Sequence, residues 1–151
     1  MDISEPLWCR NPDDNSALIP KVKRWKGKGR MKKILVVDDD KDLVKVIKTA
    51  LEIKGFEVVV AYEGEEAFQK LKAASADLII LDILMPKLNG LEVLQRIREN
   101  PDFNPIPVIL LTVKDGNEDM MKGYKFGADY YLSKPFKMEE LLIGIKMMFK
   151  Y

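Results

Sequence analysis

Histidine is absent from the 151 residues. That absence excludes imidazole-based triads, histidine metal sites and any role as a phosphohistidine carrier, so a phosphoryl acceptor in this chain has to be another side chain. Cysteine is nearly absent too. The lone Cys9 cannot close an intrachain disulfide, which points to a reducing, cytoplasmic compartment. No apolar run reaches the roughly 18 residues of a membrane span, and the N-terminal stretch lacks the apolar core of a signal peptide. A soluble protein without a membrane span is expected. An excess of either charge is missing as well: 25 Lys and Arg face 24 Asp and Glu, for a net charge of +1. Bulk charge therefore argues neither for nor against nucleic acid.

What is present fits one domain with a real core, since 47% of the chain is apolar and 32% charged. The charge is unevenly spread. Residues 1–30 hold seven basic and four acidic side chains, leaving 18 and 20 in the remainder. The first 30 residues also show no apolar periodicity, and they carry Pro6, Pro12 and Pro20. They read as a flexible basic extension, or as a translation start set too early, because Met31 immediately precedes the first regular segment. The stretch 21–30, with Trp25 among its basic residues, has the composition to meet phosphate backbones or an acidic membrane surface. A solvated tail is the expectation, and nucleic acid is not an expected partner.

From residue 31 the pattern becomes regular. Residues 34–37, 56–61, 78–81, 107–112 and 130–133 read as short strands. Between and after them, amphipathic spacing predicts a helix after Asp40, carrying Leu43, Ile47, Ala50 and Leu51 inward and closed by Gly55. Further helices are expected over 65–74, 91–99, 117–126 and 137–149. The fourth is interrupted by Gly123 and has a thin apolar stripe, so it is expected to be the most mobile. Five strands alternating with five helices through short connections predict a flavodoxin-like, doubly wound α/β fold with a five-stranded parallel sheet in order 2-1-3-4-5.

In that fold the carboxyl ends of the strands converge, and here they read Asp38-Asp39, Asp82, Thr112 and Lys134. Each has an ordinary explanation alone: Asp triplets cap helices, and Thr or Lys-Pro at a strand end is commonplace. Their coincidence along one sheet edge is what points to a site. Clustered carboxylates repel unless a cation sits among them. A hard divalent ion with oxygen ligands suits them, Mg²⁺ best and Mn²⁺ as an acceptable substitute. Asp82, ending the central strand before the turn residues Pro86, Asn89 and Gly90, is the best nucleophile. Lys134 and Thr112 supply a point charge and a hydroxyl for phosphoryl oxygens, leaving Asp38 and Asp39 as metal ligands.

These residues resemble the receiver domain of two-component response regulators, of the single-domain CheY-like kind. The resemblance covers residues 31–151 and rests on ILVVDDD, IILDILMPKLNG, LLT and YLSKPF. It implies Asp39 as direct Mg²⁺ ligand, Asp38 acting through water, Asp82 as phosphoacceptor, and the Leu84 backbone carbonyl as a further ligand. It also implies Thr112 and Lys134 on the phosphoryl group, a cis Lys134-Pro135 bond, and Tyr131 as the switch aromatic. The donor would be a sensor histidine kinase or a histidine phosphotransfer protein. The face of the fourth helix, fifth strand and fifth helix would change on phosphorylation. With no further domain after Tyr151, output is expected through an unidentified protein target or onward phosphotransfer, and no enzyme activity beyond the chain's own phosphorylation and dephosphorylation.

Two departures bear on rate. Val113 stands where the family has a smaller residue, restricting access to the acyl phosphate. Leu84 is apolar where, with Lys114, it should influence attack by water, so a long-lived phosphorylated form is expected. A haloacid-dehalogenase-like phosphatase would need a second Asp where Leu84 stands, and a flavodoxin's phosphate loop would be repelled by residues 38–40. The remaining alternative is a receiver-like binding module that takes no phosphate and whose basic extension engages nucleic acid, with steep salt dependence.

Overall fold

The computed structural model describes residues 31–85, 89–113 and 127–149, with the side chain of Val113 excepted. The extension 1–30, Pro86, Lys114, the anticipated helix over 117–126 and Tyr151 lie outside the described residues.

Uninterrupted apolar runs form the strands because both faces of a central parallel sheet are covered. The strands are β1 (Lys33–Val37), β2 (Glu57–Ala61), β3 (Leu78–Asp82), β4 (Val108–Val113) and β5 (Tyr130–Lys134). They pair in parallel in the order β2-β1-β3-β4-β5, which is the flavodoxin-like arrangement expected. The described helices are α1 (Lys41–Ile53), α2 (Gly64–Ala73), α3 (Gly90–Glu99) and α4 (Met138–Phe149).

Strand alternation divides the core in two. Ile34, Val36, Leu78, Ile80, Ile109 and Leu111 pack with Val44, Ile47 and Leu51 of α1 and with Leu141 and Ile145 of α4. Leu35, Val37, Ile79, Leu81, Val108 and Leu110 point the other way, against Ala67 and Leu71 of α2 and Val93, Leu94 and Ile97 of α3. Each fully buried Leu or Ile contributes about 1.5–3 kcal/mol, so removing either helix layer would leave the sheet without a covered face.

The buried stripe of α1 differs from the expected one. Val44, Ile47 and Leu51 are fully buried, whereas Leu43 and Ala50 are half-buried flanks. Asp40 caps this helix, accepting from the Asp42 and Leu43 amides at 3.1 Å each, and the helix ends before Gly55.

At the amino edge of the sheet, Arg98 ties three segments together. Its Nε donates to the Gly127 carbonyl at 2.8 Å, and its Nη1 donates to the Asn104 and Ile106 carbonyls at 2.9 and 2.6 Å. Its Nη2 pairs with Asp129 Oδ2 at 2.7 Å, the same oxygen that accepts the Val108 amide. One guanidinium thus holds the start of β4 against the turn leading into β5.

Candidate functional site

The opposite, carboxyl edge gathers the polar strand ends. β1 is followed directly by buried Asp38, whose amide donates to the Ala61 carbonyl at 3.1 Å. β3 finishes on Asp82, only 4% exposed. One ligand oxygen from each of Asp38, Asp39 and Asp82 lies within 4.8 Å of the others, with Asp39 on the solvent side. The Lys134-Pro135 bond is cis, as the resemblance implied. Lys134 Nζ donates to Asp38 Oδ2 at 2.9 Å and lies 3.3 Å from Asp82 Oδ1. The sheet register accounts for this: Asp38, Asp82 and Lys134 belong to the face of Ile34, Ile80 and Leu132, so their side chains converge on one side.

Thr112 follows a different alternation. It shares the face of Val108 and Leu110, is 1% exposed, and its Oγ1 has no hydrogen-bond partner among the described residues. Tyr131, in register with Leu110, packs half-buried against that same face. Among the described residues the acidic cluster and Lys134 are therefore joined by direct contacts, while Thr112 and Tyr131 lie on the opposite face of the sheet. Leu84, two residues beyond Asp82, is 54% exposed.

Electrostatics follow from burial. Loss of solvent raises the Asp82 carboxyl from 3.8 to about 7, and the Asp38 charge adds to the rise against the pull of Lys134. Burial alone would lower Lys134, but its hydrogen bond to Asp38 and the charges of Asp82 and Asp38 outweigh it and raise the ammonium above its ordinary value. Lys134 thus stays charged and the cluster is still short of positive charge. An all-oxygen set of three carboxylates in that condition fits a hard divalent cation.

Three supporting residues carry no functional reading in the sequence. Gly90 opens α3 against the end of β3: its amide donates to the Ile83 carbonyl at 2.8 Å. A Cβ at Gly90 would collide with the Asp82 carbonyl oxygen and lie 2.7 Å from Ile83 Cα, so only glycine lets this helix seat against the carboxylate's own backbone. Asn89 and Glu92 form a reciprocal capping box at 3.0 and 3.3 Å. Their three-residue spacing is the available signal; the Asn89-Gly90 pair by itself reads only as a turn.

The family model described as response regulator receiver domain matches residues 34–146. The transcriptional regulatory protein CpxR of Escherichia coli is 42% identical over 120 residues, covering 80% of this chain and 50% of that protein. The alkaline phosphatase synthesis transcriptional regulatory protein PhoP of Bacillus subtilis is 40% identical over 119 residues, covering 79% and 49%. The chain thus spans about half the length of these curated relatives. Among solved structures, the receiver domain of Francisella response regulator 1452 superposes with a TM-score of 0.72 at 38% identity, covering 79% of this chain and 97% of that one. Chemotaxis protein CheY4 of Vibrio cholerae gives 0.74 at 33% identity, covering 78% and 98%. A parallel sheet in this order, an acidic pocket at its carboxyl edge and these matches lead to one assignment: the chain belongs to the receiver-domain family of two-component response regulators.

Proposed function

We propose that residues 31–151 act as a phospho-accepting receiver in which Asp82 takes a phosphoryl group from a histidine kinase or a histidine phosphotransfer protein. The observation that carries this is the Lys134 ammonium set against two buried carboxylates, Asp38 and Asp82, at the end of the central strand. In the transfer, the donor's N–P bond breaks as an O–P bond forms on an Asp82 carboxylate oxygen. Mg²⁺, or Mn²⁺ in its place, held by Asp39, Asp82 and the Leu84 carbonyl with Asp38 assisting, would neutralise charge shared between carboxylate and phosphoryl oxygens. Lys134 supplies the protein's own positive charge to the new phosphoryl group, and the buried Thr112 hydroxyl, which has no partner among the described residues, has a hydrogen bond to give it.

Phosphorylation places close to two negative charges where one carboxylate stood. Movement of Thr112 toward them opens space beside Tyr131 on their shared face, and the surface of the helix expected over 117–126, β5 and α4 is the output that responds. The chain then serves as a signalling receiver rather than an enzyme with an external substrate, and it passes its state on by protein contact or onward phosphotransfer. The relatives' names add control of transcription as a process such a receiver would serve. Among the described residues no helix is long and apolar enough to cross a membrane.

The test is incubation with Mg²⁺ and a small acyl phosphate, followed by intact mass. The wild type should gain about 80 Da, the mass of one phosphoryl group, and Asp82→Asn should gain nothing. No adduct on the wild type, or an equal adduct on the variant, overturns the assignment.

A further inference from the structure

The two most exposed large apolar side chains among the described residues lie on one helix: Val46 is 57% and Ile53 61% open to solvent, both on α1. They are not scattered. With the half-buried Leu43 and Ala50 they fall at spacings of three, four and three residues. That places all four on one flank of the helix, beside the inward stripe of Val44, Ile47 and Leu51. α1 thus carries a second apolar seam, whose outer positions Val46 and Ile53 no described element covers.

The borders of this seam are basic. Lys41, Lys45, Lys48 and Lys54 stand against Asp42 and Glu52, and Glu52 is already paired with Lys48 at 2.9 Å. A fitting partner is therefore apolar and acidic, whereas α1 of a second copy would set lysine against lysine. Residues 1–20 have the fitting chemistry. They hold Asp2, Glu5, Asp13 and Asp14 against Arg10 alone, interspersed with Ile3, Leu7, Trp8, Leu18 and Ile19. The other six basic residues of the extension all fall within 21–30, so its two parts are opposite in charge.

The point of attachment suits as well. The Lys32 carbonyl accepts the Glu57 amide at 2.9 Å, and Glu57 follows Ile53 by only four residues. The Lys32 ammonium lies 5.5 Å from the centre of the Phe149 ring, which is 5.9 Å from that of Phe56. Met31 therefore stands at the end of the sheet where α1 finishes with Ile53. From there ten residues reach up to about 33–36 Å when extended, whereas the 13 residues of α1 are only about 20 Å long.

We propose that residues 1–20 fold back on their own chain and dock along the outer seam of α1. Their apolar side chains cover Val46 and Ile53, their carboxylates lie among the bordering lysines, and residues 21–30 serve as the tether. The extension is then not a solvated tail along its whole length. A short flexible tether supplies an effective concentration of the order of millimolar, so a contact of only millimolar intrinsic affinity is already about half populated. The proposal is independent of whether Asp82 takes a phosphoryl group.

Cys9 is the only thiol in the chain and falls within the docking segment, so a nitroxide attached there broadens the amide NMR signals of whatever it approaches. In the full chain, signals of residues 43–54 should lose about half or more of their intensity relative to the reduced label. Those of α2 and α3, on the other side of the sheet, should not. Val46→Glu combined with Ile53→Glu, at positions outside the core, should restore the lost intensity. Asp13→Lys combined with Asp14→Lys leaves the folded domain untouched and should restore part of it through charge alone. Absence of broadening along α1 overturns the proposal and leaves the seam to an outside partner. Broadening that either pair of substitutions leaves unchanged overturns it too. Isotope-labelled Cys9→Ser protein mixed with spin-labelled protein at natural isotope abundance should show no broadening; broadening there assigns the seam to a second copy and overturns the intramolecular contact.

Discussion

Replacing Asp82 by Asn should stabilise the metal-free protein, and by an amount that grows with pH. The native carboxyl titrates near 7 rather than at 3.8, chiefly because burial disfavours its charge and then because Asp38 stands beside it. The folded state therefore holds a proton that the unfolded state releases earlier. For a group raised on folding, the stabilisation is complete below the unfolded value and is lost as pH rises through the folded one. The interval from 3.8 to about 7 corresponds to a ceiling of about 4 kcal/mol. Roughly 2–3 kcal/mol of that falls between about pH 5 and 8. Asn keeps the shape and cannot ionise, while Lys134 retains Asp38 as its partner. Urea unfolding of both proteins in chelator, followed by circular dichroism across that range, gives the difference directly. The advantage of the variant should widen by at least about 1 kcal/mol toward high pH even after structural relaxation. A difference that is flat or narrows as pH rises would refute the account of the buried charge. Saturating Mg²⁺ should restore the wild type selectively, because an ion that binds only the folded state stabilises it by mass action.

Three further outcomes can be checked. Gly144→Ala would set a Cβ 2.7 and 2.8 Å from two ring carbons of Tyr130, costing about 1–3 kcal/mol of overpacking against about 1 kcal/mol of helix propensity gained. In a Tyr130→Ala background the same change should be neutral or stabilising by denaturant titration, and an equal cost in both backgrounds would sink the steric explanation. Arg98→Ala should cost about 2–4 kcal/mol, because it strips hydrogen bonds from the Gly127, Asn104 and Ile106 carbonyls and leaves Asp129 without its guanidinium; a loss below about 0.5 kcal/mol would mean water replaces them freely. With exposed, apolar Leu84 two residues beyond Asp82, the phosphorylated form should persist well beyond seconds in Mg²⁺ buffer, as followed by intact mass; a half-life of seconds refutes that expectation.

Much of this architecture was readable from one dimension. Solid apolar runs ending in polar residues required a parallel sheet covered on both faces, and alternation with amphipathic segments left the doubly wound order as the economical solution. Asp38, Asp39, Asp82 and Lys134 could be grouped before any coordinates, because that topology brings alternate strand ends to one edge. Sequence spacing also located the α1 cap and the end of α3. It was less accurate about helix orientation: Val44 is the buried residue of the first turn and Leu43 packs half-buried at its flank, since a stripe read from spacing alone leaves a rotation of one residue undetermined.

What only the tertiary structure decided is how those groups are shared. The sequence assigned Lys134 to an incoming phosphoryl group, and the fold gives it Asp38 and Asp82 first. Register sets Thr112 and Tyr131 on the opposite face from the acidic cluster, a relation invisible until strands are paired. The Arg98 links to Gly127 and Asp129, and the Gly144 approach to Tyr130, join segments distant in the chain. The physical reason is common to all of these. Periodicity and residue type act over one turn or one strand, so they fix which elements form and which face they bury. Partner choice, desolvation and close approach depend on distances between elements, and those exist only once the sheet has assembled.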